Sequence, residues 1–297
     1  MFLASVLELA TPLILAALGC LLTVRAGVVN IGLDGMMLGG AFVGAAVSAT
    51  VLGPWVGLLA AGAIGAILAM ILAVAHLRFG ADIILSGIAV NLLAAGGTVL
   101  ALVALTRDTG TAQNVRSTPL PAVELPFLSG IPVLDALSAA SPLTWLLILG
   151  VPVFVWMYFN SRWGLWTRAV GDNPSAVIEA GISPQRVQWS ALITSGALAG
   201  LAGAQLSLFT TSTFVRDMVQ GRGFIALAAV YLGLKHPIGT LLAASAFGLF
   251  EALATVLQVR TTIPTDPILA LPYVVTILAL AVSGMRYLVK KGGLRLV

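Results

Sequence analysis

The chain has 297 residues, of which 9% are charged and 59% hydrophobic, against about 25% charged in an ordinary soluble domain. Its mean hydropathy is +1.07, and a soluble fold of this length has nowhere to hide so much apolar side chain, so the solvent must be lipid. The net charge of +4 comes from basic residues spread over the loops, which excludes the clustered patch that nucleic acid would need.

The first apolar run, 2–24, lacks a positive leading region and carries Glu8, so it reads as a retained helix and not as a signal peptide. Ala17-Leu18-Gly19-Cys20 only faintly resembles a lipoprotein cleavage site, because its leucine is misplaced. Further runs near the roughly 20 residues that a span requires fall at 28–50, 54–76, 81–105, 142–160, 187–210, 238–258 and 267–287, with a shorter one at 223–234. The expectation is an all-α polytopic membrane protein, one domain over 1–297 with about nine transmembrane segments.

The loops set the orientation. With the carboxyl tail inside, Arg286, Lys290, Lys291 and Arg295 go with it, and alternation adds Arg25, Arg78, Arg162, Arg168, Arg186 and Lys235. Arg107, Arg116, Arg216, Arg222 and Arg260 stay outside, so ten of the 15 basic residues are inside, the positive-inside bias. The odd count then puts the amino terminus outside. The longest external loop, about 106–141, is rich in Pro, Ser and Thr and carries Arg107, Asp108, Arg116, Glu124 and Asp135. It reads as a cap on the outer face or as a variable connector. The hydrophilic stretch at about 161–186 faces the cytoplasm on this topology.

The chain also matches itself at an offset of 183 residues. Gly53-PWVGLLAAGAIGAILA lies over His236-PIGTLLAASAFGLFEA, and Ala45-Ala46-Val47 lies over Ala228-Ala229-Val230. On this topology the two copies run in opposite directions, an inverted repeat of the kind found in transport proteins, with the path near the interface between the halves.

Polar groups within the spans are few, and each is costly in hydrocarbon. Asn30 and Asp34 lie in a glycine-rich stretch, Arg25-AGVVNIGLDGMMLGG, that reads as a broken helix start; Ser86 and Asn91 lie in the fourth run, and Glu251 sits mid-span. For Asn30, Ser86 and Asn91 two readings stay open: interhelical hydrogen bonding beside small residues, or lining a translocation path. Asp34 and Glu251 point more toward the path, since an ionised carboxylate is hard to place in lipid. Trp145, Trp156, Trp163 and Trp166 read as interfacial anchors. No phosphate-binding GxxxxGK[ST] loop occurs, and two histidines and one cysteine far apart make no metal site. No cofactor is expected. The single Cys20 rules out an internal disulfide.

Three motifs carry a family resemblance: Gly27-VVNIGLDGMMLGGAF, Gly80-ADIILSGIAVNLLA and Arg168-AVGDNPSAVIEAGIS. In that order they resemble the permease family of bacterial ABC importers for ribose, branched-chain amino acids and purine nucleosides. The Asn30-IGLDGMML form looks like the nucleoside or simple-sugar branch, in its shorter permease. The ribose-type members have an additional amino-terminal helix that this chain lacks. The resemblance implies a non-enzymatic pore subunit in the cytoplasmic (inner) membrane. Its implied partners are an ABC ATP-binding subunit, a second permease (a longer paralogue or a second copy), an extracytoplasmic substrate-binding protein and membrane lipid. It also implies a short ATPase-coupling helix over Gly171 to Gly181. Asp172, Asn173 or Ser175 can cap its start, Pro174 is tolerated in its first turn and Gly181 can end it. Ala176, Val177, Ile178 and Ala180 then form a small apolar plug.

Overall fold

The computed structural model describes residues 2–107, 117–121 and 140–260, together with Val274 and Ile277. The rest of the expected segment 267–287, the cations of the carboxyl tail, and Asp108, Arg116, Glu124 and Asp135 of the external loop lie outside these residues. Among the described residues the fold is entirely helical. In chain order the helices are α1 (Phe2–Arg25), α2 (Leu33–Ser48), α3 (Gly53–Ala73), α4 (Ile83–Thr106), α5 (Pro142–Asn160), α6 (Arg162–Asp172), α7 (Pro174–Glu179), α8 (Pro184–Gln205), α9 (Arg222–Leu232) and α10 (Pro237–Arg260). Widened turns extend α3 through Val74–Arg78 and α8 through Leu206–Thr210.

Six helices are long and apolar enough to cross a membrane: Phe2–Arg25, Gly53–Arg78, Ile83–Thr106, Pro142–Asn160, Pro184–Thr210 and Pro237–Gln258. Two of the expected spans are too short to cross as helix alone, one of them shorter than its apolar run. The run 28–50 yields a helix of 16 residues, about 24 Å long, because residues 28–31 are not helical. The run 223–234 yields 11 residues, about 16 Å. Both fall short of a hydrocarbon core about 30 Å thick. The hydrophilic stretch 161–186 is not an open loop but α6, α7 and the start of α8.

The centre of the bundle is α1, buried from Ala10 to Val24, with α8 and α2 beside it. The first helix packs on α8, α9 and α10, while α8 packs on α1, α2 and α3. The contacts among α2, α3 and α8 are backbone-close. A Cβ on Gly65 would run into the carbonyl of Gly196, one on Gly200 into that of Ala61, and one on Gly40 into that of Gly200. Small residues do this work because lipid gives helices no hydrophobic drive to associate, so they gain by dispersion contact at short range. By contrast, α4 and α5 lie at the edge. Leu85, Leu92, Leu149, Val153 and Trp156 are all more than half exposed, as lipid-facing side chains are.

Gly200→Val should therefore push α8 off α3. Overpacking a tight core typically costs about 1–3 kcal/mol, and here the obstacle is backbone, which cannot turn aside. The expected result is a large loss of monodisperse protein in detergent. Gly96→Val, where a Cβ meets open space, should leave the yield unchanged.

Candidate functional site

The two short helices begin at one place. Glycine precedes each of them, Gly32 before α2 and Gly221 before α9, so neither start has a capping side chain of its own. The first N–H groups of a helix need acceptors, and in both cases another helix supplies one. Asn91 of α4 accepts from the Gly35 N–H at 2.8 Å and donates to the Ile31 carbonyl at 3.0 Å. Asp34 of α2 accepts from the Gly223 N–H at 3.1 Å. Its carboxylate also sits at the positive end of the α9 dipole. The approach is so close that a Cβ on Gly223 would lie 2.5 Å from the Asp34 nitrogen.

Other polar residues brace the same point. Asn30 is fully buried. Its Oδ1 accepts from the Gly32 N–H at 3.1 Å, and its Nδ2 donates to Ser195 Oγ of α8 at 3.0 Å. Glu251 of α10 pairs with Arg222 through Nε at 2.8 Å and through Nη2, and both side chains are 15% exposed. Arg222 Nη1 then donates to the Met218 carbonyl at 2.8 Å and to that of Val219 at 3.3 Å. Ser86 bonds within its own helix, to the Asp82 carbonyl at 2.7 Å.

Beside this junction lies a cavity of about 590 Å³. Its walls are Leu38 of α2, the stretch of α4 around Ala95, Gly96 and Thr98, and Arg216 and Asp217 from the turn before α9. That turn departs from regular geometry, with left-handed backbone at Ser212, Asp217, Gln220 and Gly221. Its volume is within the range of small-molecule sites, about 300–1,000 Å³. Of the five in-span residues singled out by sequence, Asn30, Asp34, Asn91 and Glu251 are brought together around the junction, and Ser86 is not.

Arg222 was not legible as a member of this group. Its partner Glu251 is 29 residues away, and by sequence it belonged to an outside loop. Arg216 and Asp217 escaped for the same reason.

The second candidate site is the short helix α7. Asn173 is its cap, accepting from the Ala176 N–H at 3.3 Å, and Pro174 opens the first turn. Asp172 does not cap; it faces Arg25 at 4.0 Å. The helix ends at Gly181, with φ +78°. The Gly181 N–H bonds to the Ile178 carbonyl at 2.9 Å and the Ile182 N–H to that of Val177 at 3.1 Å, the paired Schellman bonds. Val177 turns inward onto Val170 and Val187, so it is not part of an exposed plug. Ala176, Ile178 and Ala180 are exposed. Gly171 seats the unit against the end of α1, since a Cβ there would meet the Arg25 carbonyl.

Residues 2–281 match the family described as branched-chain amino acid transport system / permease component. The chain belongs to this permease family. It is 37% identical to the guanosine ABC transporter permease protein NupQ of Bacillus subtilis, over 91% of this chain and 88% of that one. It is 34% identical to the nucleoside ABC transporter permease protein NupC of Lactococcus lactis, over 94% and 90%. It is 33% identical to a putative glucose ABC transporter permease protein, TsgC13, of Haloferax volcanii, over 83% and 74%. Permease membership accounts for the apolar helices: this is a multi-pass membrane protein.

The capping pattern makes two stability predictions for this permease. Asp34→Ala should cost about 1–2 kcal/mol by leaving the α9 start uncapped, whereas Asp34→Asn keeps an acceptor and should cost much less. Arg222→Met should cost about 3–5 kcal/mol by stranding the Glu251 carboxylate, and the double variant Arg222→Met/Glu251→Leu should recover most of it. Thermal unfolding in detergent micelles would measure both.

Proposed function

We propose that the chain is the membrane-spanning subunit of an ATP-driven importer and carries nucleosides into the cytoplasm. The observation that carries this reading is the pair of short, glycine-preceded helices whose N-termini meet inside the bundle. Discontinuous helices in matching positions of two halves are the strongest structural pointer to a transport site. The inverted repeat is part of the proposal. The 183-residue offset aligns α1 with α8, α2 with α9 and α3 with α10. In keeping with it, α3 packs on α8 while α10 packs on α1. The four-residue turns at 49–52 and 233–236 also correspond.

On this reading the solute moves through the cavity between α2, α4 and the turn before α9. Asp34, Asn91, Asn30 and Glu251 hold its walls in register. The amino terminus lies outside, with about nine crossings in all and a carboxyl tail in the cytoplasm. The subunit hydrolyses nothing itself. An ATP-binding partner docks on α7, using Ala176, Ile178 and Ala180 with Gly171, Asp172, Asn173, Pro174 and Gly181 shaping the unit. A second permease covers the exposed apolar edge, and an extracytoplasmic binding protein delivers the solute. Nucleosides are preferred because two relatives are named for guanosine and nucleosides. The glucose-named relative keeps free sugars as the second reading.

Uptake of labelled guanosine, ribose, glucose and leucine in cells with and without the gene tests the solute. Loss of guanosine uptake, abolished equally by deleting the ATPase gene, is the expected result. A defect confined to sugars moves the assignment to the second reading, and one confined to leucine rejects it. Docking has its own test. Ala180→Asp buries an unpaired charge at the partner interface, at a cost of several kcal/mol. It should abolish uptake and co-purification with the ATPase while membrane levels stay normal. Uptake equal to the parent would make α7 a simple connector.

A further inference from the structure

We propose that Arg216 and Asp217 contact the solute directly and read the edge of a purine base, an inference that rests on the nucleoside reading above. The cavity wall is otherwise apolar or weakly polar: Leu38, Ala95, Gly96 and Thr98 line it. Thr98 donates its hydroxyl back to its own helix, to the Ala95 carbonyl at 3.2 Å. Arg216 and Asp217 are the charged residues on that wall, and they are neighbours of opposite sign. A guanidinium donates and a carboxylate accepts. Guanine presents acceptors at O6 and N7 and donors at N1–H and the 2-amino group, so one edge matches this alternation. Adenine has no N1–H to give the carboxylate.

The pair is built in, not merely nearby. Asp217 sits in left-handed backbone, a conformation that aspartate tolerates better than most residues. The residues that follow it are tied down, because Arg222 holds the Met218 and Val219 carbonyls. Glu251 in turn holds Arg222. The carboxylate that the sequence marked for the path thus braces the segment that reaches it. A zwitterionic amino acid also pairs with an Arg–Asp couple, but a cavity of about 590 Å³ is far larger than such a molecule and suits a base with its sugar. Free sugars, whose hydroxyls both donate and accept, need no ordered charge pair.

The experiment measures uptake of labelled guanosine, inosine, adenosine and leucine in cells carrying the complete transporter, with membrane levels matched. Parent, Asp217→Asn and Arg216→Gln are compared. Asp217→Asn replaces one acceptor oxygen with a donor that opposes N1–H. It should lower guanosine and inosine uptake about tenfold while adenosine uptake stays the same or rises. Arg216→Gln should weaken all three purine nucleosides, with KM rising and maximal rate nearly kept. In Asp217→Asn an unchanged selectivity profile, whether every rate falls together or none does, overturns the proposal, and so does an Arg216→Gln variant with the parent's KM for all three purine nucleosides. So does a leucine-specific loss in Asp217→Asn, which makes the pair a zwitterion site. If the parent carries no nucleoside at all, the functional reading fails first. If it carries guanosine and Asp217→Asn does so with the same selectivity, only this inference fails.

Discussion

A peptide group that leaves the helix inside a membrane cannot turn to water, and lipid offers it nothing. That constraint organises the helix junction. The chain stops being helical at 28–31, and again before α9 around 211–221, and each break exposes N–H and carbonyl groups. Side chains take them up: Asn91 and Asp34, from other helices, serve the starts of α2 and α9, and Arg222, the first residue of α9, serves the turn just before it. Each such bond contributes only about 0.5–1.5 kcal/mol net, but leaving the group unpaired costs more. The scarce polar residues of the membrane interior are therefore largely consumed in keeping two helix breaks possible. The cavity exists beside those breaks because unbroken helices would have filled the same space.

The glycines serve a second, complementary purpose. Where α2, α3 and α8 meet, backbone touches backbone, and that rigid block is what the broken segments are fixed against. Asn30 illustrates the join: its amide is shared between the Gly32 turn and Ser195 on α8. A buried side-chain amide with both ends engaged fixes orientation more than it adds stability. Gly223 repeats the pattern on the other side, where only a missing side chain lets the α9 start come within reach of Asp34.

Much of this was legible in the sequence, and what was not has a common cause. Composition and run length exposed the long helices because hydropathy is a local property. The glycines around Asn30 announced a broken start, and Asn173, Pro174 and Gly181 announced a short capped helix, because caps and turns are also local. The length of α2 was overestimated because its apolar run starts at 28, ahead of the helix at Leu33, whereas α9 nearly fills its short run 223–234. Val177 looked like part of an exposed surface because six residues are too few to show which face is covered; its partners Val170 and Val187 lie on other helices. The roles of Asn91, Asp34 and Glu251 were the least legible. Their partners lie 56, 189 and 29 residues away, and no periodicity reports a contact of that kind. The sequence marked these residues as unusual, which was correct, but rarity in lipid does not distinguish a residue that meets a solute from one that meets a stranded N–H.

The two candidate sites are joined by a short stretch of chain. The α6–α7 unit rests on the end of α1, where a Cβ on Gly171 would meet the Arg25 carbonyl and Gln188 donates to that of Ala26 at 3.2 Å. A few residues further on, the same strand of backbone reaches Asn30 and Ile31, which are bound to the α2 start and to Asn91. Residues 26–31 therefore touch the α6–α7 unit at one end and the helix junction at the other. They lack the repeating hydrogen bonds that stiffen a helix. A segment of that kind absorbs displacement by changing a few dihedrals, whereas the glycine-packed block beside it has no room to deform. Rigid packing on one side and a short non-helical strap on the other is an arrangement that lets a displacement at α6–α7 reach the helix junction without deforming the block between them.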